Sequence, residues 1–122
     1  MSNRLIPIFT RSEITAVKEK DIVFAESEGR KVIIHTLERK YCYNGNLSSL
    51  KEMLGQNFYK CHSSIIVNFN KVVSIKDGIL CMEGGMKVLM GKNAYQATRK
   101  NFMSFITAHA AMGGLLNAGN RP

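Results

Sequence analysis

Residues 58–70 read FYKCHSSIIVNFN, and the fold turns on how this stretch is read. Lys60, Cys61, His62, Ser63 and Ser64 stand side by side, and Ile65, Ile66, Val67 and then Asn68 follow at once. The β-branched run suits a short buried strand or turn that roots the segment. The polar cluster before it is then expected at a surface, carrying hydrogen-bond donors, an imidazole and a positive charge. A rooted loop of that kind suits a polar, acidic partner.

The chain after this stretch reads as a meander. Residues 72–76 and 79–83 flank Asp77-Gly78, a strong hairpin signal, and Gly84-Gly85 turns into a third strand at 87–90. Before it lies one clear helix. Asn46 is a candidate N-cap, Leu47, Leu50, Met53 and Leu54 form one apolar stripe, and Gly55 is placed to end it. Further upstream, strands are expected at 14–19, at 22–26, and at 31–38, which is rich in Val32, Ile33, Ile34 and Thr36. Glu28-Gly29 marks a turn. Tyr41 and Tyr43 share one face of a further strand that Asn44-Gly45 closes. From Asn93 the period becomes helical, with Tyr95, Phe102, Phe105, Ile106 and His109 on one face and a stop at Gly113-Gly114. The expected class is mostly β: elongated antiparallel sheets with one short internal helix and a C-terminal helix. Residues 1–12 read as an extended lead-in, 13–112 as one domain and 113–122 as a mobile tail.

The composition is that of an ordinary globular domain, with 45% hydrophobic and 21% charged residues. Seventeen Lys and Arg against nine Asp and Glu give a net charge of +8. The excess is uneven. After Cys61 the acids are Asp77 and Glu83 alone, against Lys71, Lys76, Lys87, Lys92, Arg99, Lys100 and Arg121. A basic half points to nucleic acid, an anionic membrane surface or an acidic protein. No apolar run approaches the roughly 20 residues a membrane span needs, and the first residues lack the pattern of a signal peptide. Cys42, Cys61 and Cys81 are odd in number and show no CxxC spacing, which argues against a disulfide framework or a zinc site. A cytoplasmic location is the expectation.

Taken in order, these segments resemble the LytTR family of bacterial transcription regulators, over about residues 19–101. DIVFAESEGRKVIIHT is similar to the family's opening I-x-x-I-E strand, turn and second strand. YNGNLSSLKEML is similar to its helix. FYKCHSSIIVN resembles its most recognisable segment, an aromatic and a basic residue followed by His-Arg-Ser and Ile-Val-Asn. Gly91-Lys92-Asn93 falls where Ser-Arg-Arg is usual. The resemblance implies double-stranded DNA binding by loops, not by a recognition helix, inserted in the major groove at repeated half-sites. It places Arg30 and Lys31 at the turn entering the second strand, His62 and Ser63 on the central loop, and Lys92 and Asn93 on the loop after the last strand; Lys60 of the polar cluster is a further DNA-binding candidate. A domain of this size covers about one turn of duplex, so a homodimer on the repeats is expected, and for a stand-alone member the resemblance implies a small membrane regulatory protein as partner. With only about 20 residues ahead of the resembling region, no receiver domain is expected. Two positions depart from the pattern. Ser63 replaces a common Arg or Asn and lacks the fork that Arg offers guanine. Asn93 replaces a frequent second Arg and suits adenine.

Each candidate has a plainer alternative. His62 could contact DNA or simply close its loop through a backbone bond. His35 reads as a partly buried strand residue and His109 as a structural residue at a helix end. Asn68 reads as a fixer of the following turn, and Phe58 as core. Cys61 is a candidate redox thiol, because a basic polar loop lowers a thiol's pKa, and Cys81 is a conceivable partner; the alternative is an ordinary semi-buried thiol. In extended chain Cys61 and His62 point to opposite faces, so no catalytic dyad is expected. No enzyme motif, metal site, cofactor or small-molecule substrate is indicated. The competing function is a non-catalytic RNA- or protein-binding regulatory module.

Overall fold

Ile66 and Val67 are neighbours on β7 (Ile65–Asn68), and both are fully buried. Successive strand residues face opposite sides, so each side of this strand needs its own cover, and the fold supplies two. The computed structural model describes residues 4–110. In it, β7 lies inside a five-stranded antiparallel sheet ordered β5 (Lys40–Asn44), β4 (Lys31–Thr36), β3 (Ile22–Glu28), β7, β6 (Phe58–His62).

Ala25, Val32, Ile34, Phe58 and Ile66 line the first face, with Tyr41 and Tyr43 packed beside them. They meet Leu47, Leu50 and Leu54 at helix α1 (Leu47–Met53) and Ile6, Ile8 and Val17 of the hairpin β1 (Leu5–Phe9) and β2 (Ile14–Lys18). The second face carries Phe24, Cys61 and Val67. It is covered by Leu80, Met82 and Val88 of a three-stranded meander, β8 (Val72–Lys76), β9 (Ile79–Met82) and β10 (Lys87–Leu89), and by Phe102 and Phe105 of helix α2 (Lys92–Ala108). The mostly β, antiparallel class with two helices is what the chain adopts.

The N-terminal residues differ from the expectation. Leu5–Phe9 is not a lead-in but a strand paired along its length with β2, and Ile6 and Ile8 are buried. Below it, Glu19 is buried; its carboxylate accepts a hydrogen bond from Gly55 N (2.7 Å) and pairs with Arg4 (3.5 Å), tying the hairpin to the chain leaving α1. The helix ends at Met53 with an extended C-cap at Leu54, and Gly55 after it is not in the left-handed conformation. Asn46 does cap the helix, with its side chain accepting from Ser49 N at 2.9 Å.

Two bulges shape the central sheet. One falls between Ile22 and Phe24 and sends the neighbours Val23 and Phe24 to the same core. The other falls between Lys60 and His62, so His62 and not Cys61 stands opposite Ile65. A bulge of this kind re-aims the side chains beside it. The expected tail at 113–122 and the stop at Gly113-Gly114 lie outside the described residues. Helix α2 ends earlier, at Ala108, where the His109 ring donates to the Phe105 carbonyl (2.7 Å) and packs on the Phe105 ring.

Candidate nucleic-acid interface

Antiparallel pairing brings three turns to one end of the five-stranded sheet. They are the β3–β4 turn at Gly29-Arg30, the β6–β7 turn at Ser63-Ser64, and the turn at Gly45 between β5 and α1. Main-chain hydrogen bonds fasten them together: Ser27 N donates to Ser64 O at 2.9 Å, and Gly45 N donates to Arg30 O at 3.0 Å. Gly29 holds φ +62°, a left-handed conformation that costs glycine little. Arg30, Lys31, His62 and Ser63 are all exposed along this row.

His62 does two things at once. Its Nδ1 accepts the Ser64 backbone N–H at 3.1 Å, closing its own turn. An amide N–H can only donate, so the neutral ring carries its proton on Nε2. That N–H has no partner among the described residues and stands exposed. The two roles weighed in the sequence are thus compatible: the ring is set by its loop and still offers a donor.

The other expected residues are placed less uniformly. Lys31 lies opposite Glu28 on β3 and Asn44 on β5 in the strand register. Lys60 is not on a loop. It is a half-buried residue of β6, and its ammonium donates to Ser48 Oγ at 3.2 Å. Lys92 and Asn93 also miss the expected loop. They open α2, with Gly91 as N-cap, and the junction is anchored to the meander by Met90 N to Gly78 O at 3.3 Å. Both side chains are exposed. The structure therefore joins Arg30, Lys31, His62 and Ser63 in one row and sets Lys92 and Asn93 on a separate element. Asn44 belongs to that row, and the sequence reading passed over it. Once β4 and β5 are paired, the Asn44-Gly45 turn signal puts it beside Lys31.

Of the two readings of Cys61, a redox thiol in a polar loop or an ordinary semi-buried thiol, the structure fits the second. The residue is buried in the second core, with its thiol donating to Ile65 O at 3.6 Å. Burial raises its pKa from 9.0 to about 11, against smaller lowering contributions from backbone hydrogen bonds. A low-pKa thiolate is the reactive form, and this site opposes it. All three cysteines are free, and Cys42 is exposed. In the native protein at pH 8, Cys61 should be alkylated by iodoacetamide at least ten times more slowly than Cys42, as peptide mapping would show. The raised pKa also has a sign for stability. Between about pH 9 and 11 the unfolded chain loses the thiol proton first, so the contribution present below pH 9 fades across that window.

No helix among the described residues is long and apolar enough to cross a membrane. The family model described as "LytTr DNA-binding domain" matches residues 12–103. No curated protein matches the chain. Among solved structures, the LytTr DNA-binding domain of a putative methyl-accepting/DNA response regulator from Bacillus cereus superposes with a TM-score of 0.70 at 20% identity, covering 85% of this chain and 100% of that one. At that identity the likeness speaks for the fold alone.

Proposed function

The chain belongs to the LytTr DNA-binding domain family, and from that premise we propose that it is a bacterial transcription regulator that reads specific duplex sequences through the sheet-end turns. The observation that carries this reading is the fastened row of turns exposing Arg30, His62 and Ser63, with the His62 Nε2–H left unpaired among the described residues. Strands in a sheet lie about 4.8 Å apart, so two turns separated by two strand spacings stand roughly 10 Å apart. That matches a major groove about 12 Å wide. Arg30 suits guanine or phosphate, and the His62 N–H suits an acceptor such as guanine O6 or N7. Lys92 at the start of α2 suits phosphate. Two copies on repeated half-sites would extend a footprint that one small domain limits to about one turn of duplex.

Selection from a random duplex pool at physiological salt tests the reading. Enrichment of a pair of short repeats supports it. A pool that stays random, or one outcompeted by single-stranded RNA, counts against it. Lys92→Ala should weaken binding to all duplexes alike and lower the slope of log K against log salt by about one. A changed sequence preference in that variant would move Lys92 from the backbone to the bases.

A further inference from the structure

Helix α2 has a charge pattern that the row of turns does not explain. Its 17 residues include Lys92, Arg99 and Lys100 and no acid, and no Asp or Glu follows Glu83 anywhere in the sequence. Three cations elsewhere are matched by carboxylates, Arg4 with Glu19, Arg39 with Glu13, and Lys71 with Glu83; α2 gathers three on one element that holds no acid. Lys92, Arg99 and Lys100 are exposed and have no such pairing among the described residues. An arrangement that collects like charge without relief is destabilising on its own. It is accounted for when a polyanion neutralises it.

The helix is also held firmly. Thr98 is fully buried, Phe102 and Phe105 pack on Phe69, and Asn101 bonds the Tyr59 hydroxyl at 3.3 Å. Residues seven apart share a helix face, so Arg99 lies in line with Lys92, with Lys100 beside it and polar Gln96 between. From Lys92 to Lys100 the axis advances about 12 Å, a few base pairs of duplex at about 3.4 Å each. Past Lys100 the same side becomes apolar at Met103 and Ile106, both exposed, so the cationic run has a definite end.

We propose that the Lys92–Arg99–Lys100 side of α2 is a second DNA contact that tracks the phosphate backbone beyond the bases read by the turns. It rests on the reading of the chain as a duplex binder and adds Arg99 and Lys100 to its contacts. Charge complementarity and continuity with Lys92 argue for phosphate as the occupant. The contact carries no sequence information, because it meets backbone and not base edges.

The test uses the whole chain and its selected duplex, with binding measured across a salt series. Arg99→Gln/Lys100→Gln keeps good helix formers at both positions and removes two charges. The slope of log K against log salt should fall by about 1.8, with the ranking of duplex sequences unchanged. Lys18→Gln/Lys20→Gln removes the same net charge at the opposite end of the central sheet and should leave the slope as it is. An unchanged slope in the helix variant overturns the proposal. So does an equal fall in the control pair, which would assign the effect to net charge, or a changed sequence ranking, which would assign it to base contact. If the unmodified protein shows no salt-dependent duplex binding, the functional reading itself falls and takes this one with it.

Discussion

Asn68→Ala is expected to cost about 3–5 kcal/mol of folding stability. The side chain is 1% exposed and uses both ends of its amide. Its Nδ2 donates to Ile22 O at 2.8 Å, while its Oδ1 accepts from Asn57 Nδ2 at 3.0 Å and from Asn70 N at 2.9 Å. These bonds stand where the sheet cannot make its own. The β3–β7 ladder ends at Phe24 opposite Val67, and the bulge at Val23 carries Ile22 out of register. Asn68 supplies the missing rung, then fixes the 3-10 turn Phe69–Lys71 that delivers the chain to the meander. Alanine leaves a carbonyl and two N–H groups short of partners, at about 1–3 kcal/mol for each one that stays buried and unpaired. At about 4 °C per kcal/mol for a domain of this size, the melting temperature should drop by about 12–20 °C. Asn68→Asp keeps both acceptor bonds but sets an oxygen against Ile22 O, so it should also destabilise. A thermal melt within 3 °C of the unmodified protein for Asn68→Ala would show that the staple is redundant.

The same residue shows what the sequence made legible. Asn68 after an apolar run reads as a turn fixer, and one of its three bonds does that, to Asn70 N. Its reach to Ile22, 46 residues earlier, has no local signature. Elements defined by their own period or turn chemistry were readable: the Asp77-Gly78 hairpin, the capped stripe of α1 and the β-branched run of β4. Elements defined by a distant partner were not. β1 carries Pro7, which lowers strand propensity; it is a strand because β2 pairs with it and because Ile6 and Ile8 fill the first core.

Lys92 read as loop because the helix it opens has no side-chain cap, only Gly91 at the N-cap position. Cys61 read as exposed because its neighbours are polar. Cys61 shares the second face with Tyr59, two residues earlier on β6, and is buried in the core there, while His62 is exposed. At the candidate interface, the residue types were therefore easier to read than their grouping. Arg30 and His62 lie 32 positions apart in the chain, and the Ser27–Ser64 bond that couples their turns follows only from the sheet order.

His62 offers a way to separate scaffold from recognition, because its two nitrogens do different work. His62→Asn keeps an acceptor oxygen near the position of Nδ1, in the manner of an Asx turn, but removes the outward donor. His62→Gln places an amide N–H near the position of Nε2 and gives up the short-range acceptor. His62→Ala loses both. If the Nε2–H reads a base, Asn and Ala should each lose about 1–3 kcal/mol of discrimination between the selected duplex and one altered at a single position, which is 5- to 150-fold. Gln should recover part of that loss. Non-specific affinity and its salt slope should stay unchanged in all three, since no phosphate contact is removed. If the ring serves only its turn, the order inverts: Asn behaves as the unmodified protein, while Gln and Ala lose affinity together. Competition binding with matched and altered duplexes distinguishes the two orders. The inverted order would leave Arg30 and Ser63 as the groups of this row available to read sequence.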